Sequence, residues 1–146
     1  MIAGNRSEYC TFELGGLLFG VDVARVQEVL LHADMTRVPL AHATVKGLVN
    51  LRGQIVTALD LRARLGLPPA AEGSTPQNVV LRAEGGAVSL LVDEIGDVLE
   101  VGDESYEPPP ETLRSPAREF VRGVHKLDGR LLLVLDVARA AAAEVA

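Results

Sequence analysis

The sequence predicts a mostly β protein built as paired barrels, and three observations predict it. Short apolar stretches alternating with period two recur along the chain, separated by Gly, Pro and Asp turns. The helical patterns between them are short, whereas a parallel βαβ sheet needs longer crossover helices. A strand–turn–strand unit also occurs twice, because Val45 to Leu61 aligns without a gap on Val121 to Val137. Within it Val45, Gly47, Leu51, Gly53, Leu59 and Asp60 recur as Val121, Gly123, Leu127, Gly129, Leu135 and Asp136. A weaker echo joins Val21-Asp22 to Val92-Asp93. Two copies imply two similar lobes packed in one pseudo-symmetric domain spanning 1–146, since a solenoid needs at least three repeats.

In order, Tyr9 to Leu14 alternates, Gly15-Gly16 turns, and Leu17 to Val21 returns as the second strand of a hairpin. Asp22 is placed to cap a short helix running to about Leu31, with Val23, Val26 and Leu30 on one side and Arg25 and Glu28 opposite. Pro39 marks an extended linker. Val45 to Leu61 reads as two strands joined at Arg52-Gly53 and ending at Asp60, followed by a short helix that Gly66 and Pro68-Pro69 terminate. Pro68 to Pro76 is a surface loop. Val79 to Ala83 and Val88 to Val92 form a hairpin, Ile95 to Val101 mixes apolar and acidic residues, and Pro108-Pro109-Pro110 forbids regular structure. Phe120 to Leu127 and Arg130 to Leu135 form a last hairpin at Asp128-Gly129; Asp136 caps a terminal Ala-rich helix whose end, 140–146, frays. The Asp residues before each helix are explained as caps, without a carboxylate site.

Bulk composition narrows the function. The 146 residues carry a net charge of −6 and only 3% aromatics with no Trp, so nucleic acid finds neither a basic surface nor stacking platforms. A single cysteine, Cys10, excludes an internal disulfide, and no signal-peptide pattern opens the chain, which predicts a cytoplasmic protein. No apolar run approaches the roughly 20 residues that span a bilayer, so direct membrane insertion is not expected. Phosphate-loop, zinc-protease, Cys-x-x-Cys and nucleophile-elbow motifs are all missing, and His32, His42 and His125 are isolated in sequence. The expectation is a protein with no catalytic, cofactor or metal requirement. The acidic residues Glu100, Asp103, Glu104 and Glu107 read as a solvated face.

The two copies differ at one turn. Asp128-Gly129 suits a type I′ turn, in which both residues take positive φ. The matching pair, Arg52-Gly53, would strain Arg in a two-residue turn, and a departure from local optimality in one copy is where function is sought. The alternative is a longer loop from Asn50 to Gly53 in which Arg52 is unstrained and solvated.

Several blocks carry a family resemblance: Phe19-Gly-Val-Asp-Val-Ala-Arg-Val-Gln-Glu-Val29, Val45-Lys-Gly-Leu-Val-Asn-Leu-Arg-Gly53, Leu90-Leu-Val-Asp93 and Gly129-Arg-Leu-Leu-Leu-Val-Leu-Asp136. In this order they resemble the CheW family of bacterial chemotaxis coupling proteins, from about residue 9 to 140. The resemblance implies two intertwined five-stranded SH3-like barrels and a non-enzymatic scaffold. It implies two partners, the cytoplasmic tips of chemoreceptors (methyl-accepting chemotaxis proteins) and the regulatory domain of the histidine kinase CheA, and hence recruitment to membrane-associated receptor arrays. It further implies that Arg52, Gly47, Val26 and Glu28 match positions tied to partner binding. The family usually carries Pro where this chain has Thr57, and often a second near His42, so local loop shape is expected to differ. Alone, with an acidic surface, the protein is expected to be a monomer. Competing readings are a same-fold adaptor of a non-motility pathway, a receptor-binding competitor without kinase binding, and a small β-barrel enzyme.

Overall fold

The computed structural model describes residues 6–38 and 44–142. Strands β1 (Arg6–Leu14) and β2 (Leu17–Asp22) form the first hairpin, followed by a 3-10 turn Val23–Arg25, β3 (Val26–Leu30) and the short β4 (Met35–Thr36). Then come β5 (Val45–Leu51), β6 (Gln54–Asp60) and helix α1 (Leu61–Leu65). The second half repeats the series: β7 (Gln77–Ala83), β8 (Gly86–Val92), β9 (Glu94–Gly102), the 3-10 turn Asp103–Ser105, β10 (Tyr106–Glu107), the 3-10 turn Ala117–Phe120, β11 (Val121–Leu127), β12 (Arg130–Leu135) and α2 (Val137–Ala140).

These strands form two six-stranded sheets, ordered β10-β11-β12-β2-β1-β9 and β4-β5-β6-β8-β7-β3. Read this way, each position holds the counterpart of the same element in the other half. The N-terminal hairpin completes the sheet of the C-terminal strands, through parallel pairing of β2 with β12, while β8 pairs in parallel with β6. The lobes are therefore intertwined. Each sheet has six strands rather than five because β4 and β10, two residues each, add a short edge.

The main core lies where the lobes meet. Phe12, Phe19, Leu61, Leu81 and Leu90 are fully buried there, and the Phe12 and Phe19 rings stack at 5.6 Å. Smaller clusters fill each lobe: Val49, Val56 and Val80 in one, Tyr9, Leu132 and Val134 in the other. The caps fall where the sequence places them. Asp22, Asp60 and Asp136 accept from the backbone N–H of Ala24 (2.9 Å), Ala63 (3.3 Å) and Arg139 (3.1 Å). Gly66 ends α1 in the left-handed conformation, with φ of 73°.

Three expectations are corrected. The helix expected from Asp22 to Leu31 is one 3-10 turn followed by strand β3. The valines at 23, 26 and 29 favour extended backbone, and the free edge of β7 supplies ladder partners that a short isolated helix lacks. The type I′ turn lies in the other copy. Arg52 has φ of 50° and Gly53 of 90°, whereas at Asp128-Gly129 only the glycine is positive, at 83°. Thr57 shapes no loop, because it sits inside β6 between Leu48 and Val88. The linker at Pro39, the position of His42 and the chain end 143–146 lie outside the described residues.

Candidate functional site

The strained turn and the corrected strand meet. At the tip of β5–β6 the Asn50 side chain accepts from the Gly53 N–H at 2.9 Å, closing the turn that holds Arg52 at positive φ. The Arg52 side chain is 74% exposed, yet its guanidinium is fixed as a fork on Glu28: Nη1 donates to Oε1 at 3.2 Å and Nη2 to Oε2. Glu28 comes from β3, on the far side of the sheet order, so the pair bridges the hairpin tip to the opposite edge strand. The hydrogen bond from Arg52 holds the Glu28 carboxyl below its usual range, and Glu28 in turn raises Arg52.

A bulge explains how Glu28 reaches this position. Along β3, Val26 pairs with Leu81 but Glu28 pairs with Val80, leaving Gln27 as the extra residue. Without it Val26 and Glu28 would share a face. With it they oppose neighbouring residues of β7 and face opposite ways: Val26 packs on the inter-lobe core with Leu81, and Glu28 lies on the side of Val80. The exposed Val29 (41%) and Leu31 (67%) flank this segment.

Gly47 is elsewhere and has a different task. It is buried in β5 at a bulge opposite β6, and a Cβ there would sit 2.5 Å from the Thr36 carbonyl oxygen and 2.7 Å from Met35 Cγ. Its bare backbone admits β4. Gly123 does the same for Tyr106 at the matching bulge of β11. Of the four candidate residues, then, Arg52 and Glu28 are in contact, Val26 lies on the reverse face of the same strand, and Gly47 shapes the sheet.

Two features escaped the sequence. His125, 1% exposed, is enclosed by Tyr9, Tyr106 and Ser105, with Ser105 Oγ 2.7 Å from Nδ1 and Tyr9 OH 3.4 Å from Nε2. Burial pushes its imidazole pKa down, against an opposing pull from Asp103 and Glu104. Nothing in sequence brings β1, β10 and β11 together around it. Arg62 forks onto Asp93 (Nη2–Oδ2 2.6 Å, Nε–Oδ1 3.2 Å); burial disfavours this carboxylate, but Arg62 and the Gly15 N–H hold its pKa low. The echo of Asp22 in Asp93 was the available signal.

A cavity of about 670 Å³ is lined by Asp22, Asp103, Asp136, Arg25, Arg122 and Tyr9 among others. Its carboxylates are occupied structurally: Asp22 caps the 3-10 turn, Asp136 caps α2, and Asp103 accepts from Ser7 Oγ at 3.3 Å. Among the described residues no three His, Cys, Asp or Glu side chains group to hold a metal ion. No helix among them is long and apolar enough to cross a membrane. Cys10 is buried, and burial raises its thiol pKa, away from the reactive thiolate.

Comparison with known proteins agrees with this architecture. The family model described as a CheW-like domain matches residues 8–145. A "Probable chemotaxis protein CheW" of Rhizobium etli is 33% identical over 130 residues, covering 89% of this chain and 84% of the relative. The chemotaxis protein CheW of Klebsiella aerogenes is 31% identical over 137 residues, 94% and 82% of the two chains. The crystal structure of the scaffolding protein TtCheW from Thermoanaerobacter tengcongensis superposes with a TM-score of 0.83 at 26% identity, covering 93% of this chain and 92% of that one. With its interlocked sheets and a match over nearly its whole length, this chain belongs to the CheW-like family.

Proposed function

We propose that the chain couples chemoreceptor cytoplasmic tips to the regulatory domain of the histidine kinase CheA, with the Arg52–Glu28 fork as a receptor-facing element. The chain is a chemotaxis coupling adaptor. One observation carries it. Arg52 is the single non-glycine residue at positive φ among those described, and it is held there by Asn50 and Glu28 with no part in the core. The type I′ hairpin needs positive φ at this position, which Asn, Asp or Gly would adopt at less cost, so an exposed Arg kept there serves the presentation of its side chain. The role is non-enzymatic: binding at two surfaces brings receptor and kinase together, and the array then sits at the membrane through the receptor. Val26 acts from the inter-lobe face of β3, and Gly47 acts by admitting β4 rather than by contact.

The test mixes the purified chain with a soluble cytoplasmic fragment of a chemoreceptor from the same genome and with the matching CheA regulatory domain. A ternary complex on size exclusion, requiring the chain, is expected. Binding of the receptor fragment without the kinase domain would replace this reading with that of a receptor-binding competitor. Binding of neither would overturn it.

A further inference from the structure

The bulge that aims Glu28 is held by a residue outside the site. Arg82, on β7, reaches across to β3 and donates from Nη1 to the carbonyl oxygens of Val26 (2.7 Å) and Ala24 (3.3 Å). Arg25, between those two residues, donates from Nη2 to the Arg82 carbonyl at 3.4 Å, so the contact is reciprocal. Asp22 closes the other end of the same segment by capping Ala24. A bulge on an edge strand interrupts the ladder, and an edge strand has a neighbour on only one side, so side chains supplement the pairing that remains between β3 and β7.

The other lobe solves the same problem in the same way. On its edge strand β9 the pairing with β1 shifts between Cys10 and Phe12, and the carbonyl of Asp97 in that irregular stretch accepts from Thr11 Oγ1 at 2.5 Å. In both lobes a side chain of the neighbouring strand pins the carbonyl of an edge-strand bulge. In one it is a buried Thr, and in the other an exposed Arg.

We infer that Arg82 is a positioning residue of the adaptor site: its clamp on Ala24 and Val26 fixes the bulge that turns Val26 to the inter-lobe core and Glu28 to Arg52. This rests on the adaptor reading for its functional consequence, but not for its structural one. Arg82 makes no hydrogen bond or ion pair with Glu28 or Arg52 and acts through the backbone between.

Two measurements test it. Amide hydrogen exchange needs no partner. In Arg82→Ala the amides of residues 26–29 should exchange about tenfold faster while those of β11 and β12 keep their rates; unchanged exchange in β3 would overturn the clamp. In binding of the chemoreceptor cytoplasmic fragment, Arg82→Ala should weaken affinity about tenfold, and Arg82→Lys, whose ammonium still serves both carbonyls, should recover most of it. Combined with Glu28→Gln, the Arg82→Ala loss should largely vanish, because Arg82 acts through Glu28. Additive losses, or wild-type affinity in Arg82→Ala, would refute the positioning role. If the wild-type chain itself bound no receptor fragment, the adaptor reading would fall, and the exchange result would still decide the clamp.

Discussion

The two hairpins of the internal repeat are the same object built twice, and their differences separate architecture from presentation. Both carry a bulge at the glycine after the first valine, both end in an Asp cap, and both admit a two-residue edge strand over that glycine. At the tips they diverge. Asp128-Gly129 strains no non-glycine residue, and the Asp128 backbone keeps ordinary φ. Arg52-Gly53 holds an Arg in the left-handed region, closed by Asn50 and tied to Glu28. Inside the lobes, Val49 of one is matched by His125 of the other, so one lobe is filled by aliphatic side chains and the other sets a Tyr–His–Tyr group beside Leu132 and Val134. Elements common to both copies build the fold, and the features that occur once are the candidates for function.

The glycine bulges should show the largest effect. Gly47→Ala forces a Cβ against a backbone oxygen that cannot rotate away, and should cost about 1–3 kcal/mol. Gly123→Ala meets the Tyr106 ring, which is 42% exposed and can swing aside, so its cost should stay within about 1 kcal/mol. Urea denaturation of both variants checks the ranking, and equal losses would show that β4 and β10 are not held differently.

The polar filling of the second lobe predicts a pH dependence. His125 has a depressed pKa because it is buried, so the unfolded chain takes up its proton at a higher pH than the fold does. Stability should therefore be fully present above the ordinary His range and fall as pH drops from that range towards the lower folded value. Urea midpoints at about pH 7.5 and about pH 5 should differ more for the wild-type chain than for His125→Val, which copies the filling of the other lobe. Equal pH slopes would remove His125 from this explanation.

Smaller effects belong to the tips. Arg52→Gly relieves positive φ and should leave the melting midpoint unchanged or slightly raised, whereas Asp128→Gly should not raise it. Glu28, held charged by Arg52, should keep its pair down to a pH below the usual carboxylate range and lose it as pH falls through its lowered pKa. The midpoint of Glu28 in a carbon-detected titration should move upward in Arg52→Ala.

The hairpins were legible because their signals are local: alternation, a Gly turn and an Asp cap all lie within one unit. The duplication then exposed Arg52 as an odd choice for its turn. Glu28 was mislaid because Val26–Leu30 is too short to separate a period of 3.6 from a bulged period of two; the extra Gln27 breaks the alternation that marks a strand. The Arg52–Glu28 contact was therefore invisible until the edge strand was in place. Gly47 was readable as a glycine repeated at Gly123, but its neighbours Thr36 and Met35 were not, since β4 is two residues long. Arg82 left no signal, because its partners are backbone carbonyls that any sequence supplies.

The most direct test is Arg52→Ala, measured against both partners in parallel. The variant should fold with an unchanged melting midpoint, keep its affinity for the CheA regulatory domain, and lose affinity for the chemoreceptor cytoplasmic fragment by about thirtyfold, as truncation of a central interface residue does. A folded Arg52→Ala that binds the receptor fragment as the wild-type chain does, or a variant that unfolds, would contradict the assignment of Arg52 to recognition.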